Sequence, residues 1–209
     1  MRIAMFVSSF PLWTETFILN QIAGVIDRGH EVHIYARTRN NFDTNHEIIN
    51  KYRMMERVYF ANDSHSIKRV LRLFRAISLF LRDFNFLRPK VWAIAWKIFS
   101  TRKRLDKWNM LAILTLAIPA ASKADYDIIH CQFGNLGPIA LYLKNIGAFK
   151  GKVITSFRGH DATQHSKVNS GMYEKLFQDG DLFLPVSEDL RNRLIDMGCP
   201  KNKISVLHS

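Results

Sequence analysis

The chain opens on an unbroken apolar run, Ile3-Ala4-Met5-Phe6-Val7, and Arg2 to Ser8 reads as a strand buried on both faces. Pro11 marks a loop. Phe17, Ile18, Gln21, Ile22, Val25 and Ile26 then recur at helical spacing, with Thr14 placed to cap the helix and Gly29 where a helix ends in a left-handed residue. Glu31 to Ala36 reads as a second strand. Strand–helix–strand units of this kind make parallel sheets with right-handed crossovers. The period returns downstream. Strands are predicted over Asp127 to Cys131, Lys152 to Ser156, Leu182 to Pro185 and Ile204 to Leu207. They alternate with helices over Leu136 to Ile146, Met172 to Gln178 and Asp189 to Met197, the last with Ser187 as N-cap and Gly198 as C-cap. A weaker strand at Val58 to Phe60 precedes a long helical stretch. The pattern predicts one α/β domain over residues 1–209, a Rossmann-like doubly wound parallel sheet with a helical insertion at about residues 64–122.

Charge alters this picture in one place. Residues 66–107 hold twelve basic residues against Asp83 and Asp106, a net +10 of the chain's +12, so a near-neutral domain carries one strongly basic insert. Such a patch suits a local anionic partner. Within it, residues 67 to 84 lay out as an amphipathic helix. Ile67, Val70, Leu71, Phe74, Ile77 and Leu81 lie on one arc, and Lys68, Arg69, Arg72, Arg75 and Arg82 on much of the other. Trp92, Trp96 and Phe99 follow among further cations. Two readings stand side by side: the apolar arc packs on the sheet with solvated arginines, or the five cations face an anionic membrane surface. A nucleic-acid partner is not expected, because the charge is confined to one insert and no DNA- or RNA-binding motif accompanies it.

Cys131 and Cys199 have neither CxxC spacing nor a metal set around them, and read as small apolar residues in a reducing compartment. The apolar run Met110 to Ala121 is broken by Thr115 and Pro119 and falls short of the roughly 20 residues of a spanning helix. No signal-peptide core follows Met1. A cytoplasmic protein is expected, with any membrane contact peripheral.

Open parallel sheets bind ligands beyond the carboxyl ends of their strands. Candidate chemistry is therefore sought in Ser8 to Glu15, Cys131 to Gly137, Ser156 to Thr163 and Val186 to Glu188. The first loop contains no glycine, which excludes the Gly-x-Gly-x-x-Gly approach to a pyrophosphate, and a Walker lysine loop is absent too. It offers instead Trp13 and Glu15, the latter either a ligand contact or a complement to the helix dipole. The richest cluster is Arg158-Gly159-His160-Asp161, a cation, a flexible backbone, an imidazole and a carboxylate at one strand end. His130 and Gln132 flank Cys131 at another strand end, with His130 either lining the same cleft or sitting as a core histidine. No serine or cysteine occupies a nucleophile elbow.

Phe10-Pro11, Thr14-Glu15-Thr16-Phe17-Ile18, Asn20-Gln21-Ile22 and Gly29-His30-Glu31-Val32 resemble the opening of the family-four glycosyltransferases, most closely the branch making colanic acid and related exopolysaccharides. Asp127 to Gly134 is similar to that family's strand running into a His-Phe-Gly turn. Phe157 to Asp161 resembles its Phe-His-Gly-x-Asp loop, and Leu184 to Ile204 the run closing its first domain. Arg158 and Gln132 stand where many members carry histidine.

The resemblance implies the first half of a GT-B fold, the acceptor side of a retaining enzyme. Such an enzyme moves a sugar from a nucleotide-sugar to a glycan or lipid-linked acceptor in surface polysaccharide synthesis. Arg158, Gly159, His160, Asp161, Glu15 and Gln132 would then contact the acceptor. The nucleotide-sugar would bind a C-terminal donor domain that is expected to lie outside this chain, marked in the family by two glutamates eight positions apart, and no cofactor is expected in this half. No glutamate pair here has that spacing. The alternative is a non-catalytic membrane- or partner-docking module derived from such an enzyme.

Overall fold

A computed structural model describes residues 1–12, 15–40, 47–62, 89–100, 113, 116–117, 125–159 and 171–208. Six strands, β1 (Arg2–Phe10), β2 (Glu31–Arg39), β3 (Val58–Asn62), β4 (Asp125–Cys131), β5 (Lys150–Phe157) and β6 (Leu182–Pro185), form one sheet in the order β3-β2-β1-β4-β5-β6. Every pairing is parallel. The helices are α1 (Thr16–Asp27), α2 (Glu47–Lys51), α3 (Pro89–Ser100), α4 (Gly137–Asn145), α5 (Glu174–Asp179) and α6 (Glu188–Asp196). This is the Rossmann-like, doubly wound architecture that the periodicity predicts.

β1 runs between β2 and β4, and its alternating residues seed two separate cores. Ile3, Met5 and Val7 pack with Ile18, Leu19 and Ile22 of α1 and with Ile34 of β2 on one face. Ala4 and Phe6 join Tyr35, Ile129, Ile139 of α4 and Leu176 of α5 on the other. The period of two along a strand thus explains why both parities of β1 are apolar. The second face is rich in rings. Tyr35 stacks on Phe6 at 5.3 Å and on Tyr59 at 5.1 Å. Its hydroxyl lies 2.8 Å from that of Tyr126, which in turn lies 2.9 Å from His33 Nδ1. Burial of polar groups demands such partners.

Most boundaries differ from the predicted ones by one to three residues, with two informative exceptions. The strand expected over Ile204 to Leu207 is reduced to a single parallel bridge between Ile204 and Phe183. Ser205 N–H donates to Phe183 O at 3.0 Å and Leu207 N–H to Pro185 O at 2.9 Å. The return bond would need an N–H from residue 185, and proline has none. The start of α1 is the second. Its N-cap position is Glu15, not Thr14, and Glu15 makes no side-chain capping bond there. Glu15 N–H instead closes a turn on Leu12 O at 3.1 Å, and Thr14 itself lies outside the described residues. The last helix follows expectation, with Ser187 Oγ accepting from Leu190 N–H at 3.2 Å and Gly198 at φ +94°.

Of the basic insert, α3 is described. The amphipathic stretch 67–84, and with it Lys68, Arg69, Arg72, Arg75 and Arg82, lies outside the described residues.

One glycine unmarked by the sequence pattern governs the β4–β5 seam. Between the pairs Asp125↔Lys150 and Ile128↔Lys152 the register shifts, three steps on β4 against two on β5. Gly151 takes up the mismatch at φ +118°, and a Cβ there would stand 2.5 Å from Tyr126 O. Gly151→Ala is expected to cost about 3 kcal/mol from backbone strain and clash together. Gly29→Ala, at φ +76° with nothing within 4 Å, is expected to cost about 1 kcal/mol. Urea unfolding of the two variants checks the order; equal losses would mean that the seam tolerates a side chain.

Candidate functional site

Because all six strands are parallel, their carboxyl ends share one edge. The chain reverses its winding direction between β1 and β4, leaving a crevice beyond their ends. Residues that follow β1, β4 and β5 therefore meet, although 10, 132 and 158 are far apart in sequence. Gln132 comes directly after β4. Its side chain is fully buried and its N–H donates to Phe6 O at 3.0 Å, extending the β1–β4 pairing by one step. Gln132 Nε2 donates to Gln21 Oε1 of α1 at 2.9 Å.

Arg158 comes directly after β5 and leans across the crevice. Its guanidinium carbon sits 3.9 Å from the centre of the Phe17 ring of α1. Its Nε donates to Gln132 O and its Nη2 to Gln132 Oε1, each at 3.4 Å. Gln21, Gln132 and Arg158 thus form one polar chain, and the Phe17 face under the guanidinium adds a cation–π contact worth about 1 kcal/mol or more. An aromatic ring and an amide together hold a permanent positive charge at the switch point.

His130 does not line the crevice. It is buried within β4, with Nε2 2.9 Å from Ser156 Oγ. Burial, reinforced by the nearby Arg158 charge, lowers its pKa from 6.5 to about 4. The core-histidine alternative is the one the fold adopts, and the cation at this site is Arg158 alone among these two. The cysteines fit their apolar reading. Burial pushes the Cys131 thiol well up and that of Cys199 to about 12, so neither is a thiolate at neutral pH.

Glu15 stands at the same edge, at the start of α1. Gly159 follows Arg158, and a Cβ there would meet nothing within 4 Å, so packing does not require glycine at that position. The turn after Gln132 is different. A Cβ on Gly134 would stand 2.5 Å from the Phe157 ring, so glycine lets the β4 turn press against the end of β5. His160 and Asp161 lie outside the described residues. No group of three or more His, Cys, Asp or Glu with metal-binding geometry occurs among the described residues. Two members of the cluster, Phe17 and Gln21, are absent from the candidates read from sequence, because both fall on the apolar period of α1. The available signal is a glutamine inside an otherwise hydrophobic stripe.

Residues 14–209 match the model of Glycosyltransferase Family 4. The chain belongs to that family. It is 34% identical over 99% of its length to the putative colanic acid biosynthesis glycosyltransferase WcaL of Escherichia coli (strain K12). It is 29% identical over 99% to the amylovoran biosynthesis glycosyltransferase AmsK of Erwinia amylovora. The chain spans about half the length of these curated relatives, 50% in each case. Among solved structures, Anabaena Alr3699/HepE in complex with UDP and glucose superposes with a TM-score of 0.57 at 12% identity. That match covers 100% of this chain and 44% of the other. It establishes a shared fold over the length of this chain. The family-four resemblance carried by the strand-end motifs therefore holds across the chain.

The neutral, buried His130 has a measurable consequence. Its folded pKa lies below the unfolded value, so the unfolded chain binds a proton first as pH falls. Its contribution to stability is complete above about pH 6.5 and declines to about pH 4, by on the order of 3 kcal/mol in all. Urea unfolding at steps between pH 7 and pH 4 should show a steeper loss for the native chain than for His130→Gln. Parallel curves would place the proton uptake elsewhere.

Proposed function

We propose that this chain is the acceptor-side half of a retaining glycosyltransferase. The enzyme works at the cytoplasmic face of the membrane, moving a sugar from a nucleotide-sugar to a glycan or lipid-linked acceptor in exopolysaccharide synthesis. The observation that carries this reading is the Arg158 guanidinium held over Phe17 and against Gln132 at the switch point of a parallel sheet. Membership of family 4 and relatives named for colanic acid and amylovoran biosynthesis support the reaction class. The glycine-free first loop argues against a nucleotide pyrophosphate on this half, which leaves the donor to a second domain outside this chain.

In this reading the acceptor hydroxyl attacks the anomeric carbon of the donor sugar on the same face that the nucleoside diphosphate leaves, as retention requires, and an oxygen of the departing diphosphate takes up the hydroxyl proton. This half binds and orients. Arg158 offers a fixed cation to an acceptor phosphate or sugar oxygen, Gln132 sets the plane of that guanidinium, and Glu15 flanks the entry. His160 and Asp161 are proposed as further acceptor contacts on the family resemblance of Phe157 to Asp161. His130 stays neutral and positions Ser156 rather than titrating in the reaction.

Two outcomes test the proposal. The 209-residue chain, incubated with a panel of nucleotide-sugars and lipid-linked acceptors, should give no product above background; clear turnover would refute a divided active site. In the enzyme carrying both halves, Arg158→Ala should lower kcat/KM for the acceptor about a hundredfold, the loss of about 3 kcal/mol expected when a charge-assisted contact disappears. Binding of the nucleotide-sugar, followed by calorimetry, should be unchanged. An equal loss of donor affinity would move Arg158 to the donor side.

A further inference from the structure

Arg158 is held from two sides, and both lead back to α1. The Phe17 ring centre lies 3.9 Å from the guanidinium carbon, while Gln132 accepts twice, through its backbone oxygen from Nε and through Oε1 from Nη2, each at 3.4 Å. Bonds of that length are weak, so neither fixes the guanidinium alone. The backbone of Gln132 is tied to the sheet, where its N–H donates to Phe6 O at 3.0 Å. Its side chain is fully buried, and a primary amide fills the same space either way round. Which end meets Arg158 is therefore decided by the neighbour at the other end. That neighbour is Gln21, whose Oε1 accepts from Gln132 Nε2 at 2.9 Å, the shortest link of the three. Met5 Sδ, 4.0 Å from the same Nε2, is too distant and too weak an acceptor to take its place.

A guanidinium only donates, so Gln132 has to turn Oε1 toward Arg158 and Nε2 toward α1. Turned over, the amide would set its NH2 against the guanidinium and oppose two donors where water cannot separate them. An acceptor on α1 prevents that. Phe17 and Gln21 are four residues apart on α1 and share the face turned to the crevice. We propose that Gln21 is a positioning residue for sugar transfer: its Oε1 holds the Gln132 amide one way round, and through that amide sets the plane in which Arg158 meets the acceptor. The kinetic consequence rests on the acceptor role proposed for Arg158, whereas the orientation of the guanidinium does not. The role belongs to an oxygen at this place on α1 rather than to glutamine as such. Glutamate at the same position supplies an acceptor with the same reach, and leucine supplies comparable bulk with none.

Kinetics and NMR test it separately. In the enzyme carrying both halves, Gln21→Leu should lower kcat/KM for the acceptor about tenfold, the worth of one buried hydrogen bond, with nucleotide-sugar affinity unchanged by calorimetry. Gln21→Glu should stay within about threefold of the native enzyme, because the acceptor atom is kept. Made on top of Arg158→Ala, Gln21→Leu should add nothing, since a residue acting through Arg158 has no effect once that side chain is gone. Equal losses for the leucine and glutamate variants would overturn the proposal. So would a Gln21→Leu loss that multiplies with that of Arg158→Ala. The orientation is read on the 209-residue chain labelled for NMR, with the Arg158 Nε–H signal identified by its disappearance in Arg158→Ala. That signal should coincide in the native chain and Gln21→Glu. In Gln21→Leu it should move toward the position of a solvated arginine, while the backbone amide signals of β4 and β5 stay in place. An unmoved Arg158 signal in Gln21→Leu would also overturn the proposal. Should Arg158→Ala leave acceptor kinetics at the native level, the acceptor reading of the site falls, and the Arg158 signal alone decides whether Gln21 positions it.

Discussion

Burial of β1 on both faces is the constraint from which the rest of the molecule follows. A strand whose successive residues are all apolar has to be covered twice, and here α1 and α2 cover one face while α4 and α5 cover the other. Covering both faces with right-handed crossovers forces the chain to wind outward in one direction from β1 to β3 and in the other from β4 to β6. The gap between β1 and β4 at the carboxyl edge is a geometrical result of that reversal. A site at this position needs no dedicated scaffold, because the core already holds its walls.

What occupies the gap is set by electrostatics at short range. A guanidinium, an amide carbonyl and a phenyl ring form a preorganised cation, while the imidazole next to it on β4 is stripped of its proton by burial and by that same cation. A charged imidazole buried in β4 beneath the guanidinium would be repelled by it. Arg158 keeps its charge because the guanidinium cannot be neutralised near neutral pH, and His130 yields. The hydrogen bond to Ser156 leaves the neutral ring satisfied. The polarity of the site is therefore insensitive to pH over the range in which a histidine cation in the same place would come and go.

The charge of the protein is segregated rather than spread. The α/β core is near neutral, and the insert between β3 and β4 carries almost all the excess. Helix α3 shows how such an insert is compatible with the fold. Two isoleucines anchor it in the core, while Trp92 and Trp96 stand exposed on the opposite side.

Much of the architecture is written in local sequence. Consecutive apolar residues in β1, the helical spacing from Phe17 to Ile26, Ser187 ahead of α6 and glycines at residues 29 and 198 each act through their immediate neighbours, and each element forms where expected. The motifs at the strand ends identify family 4 for the same reason, since they are contiguous in sequence. What escaped was decided by contacts between distant segments. Pro185 cut the last strand to one bridge only because its missing N–H faced Ile204 to Leu207. Gly151 was needed only because β4 and β5 pair with a slipped register. Phe17 and Gln21 look like two positions of an apolar stripe until α1 is laid beside the ends of β4 and β5, where one becomes the bed of a guanidinium and the other the partner of Gln132. His130 was poised between cleft and core. The sequence by itself determined the elements, their order and the family. Tertiary structure decided which polar groups met and which lost their charge, because desolvation and hydrogen bonding depend on neighbours that the chain supplies from more than twenty residues away.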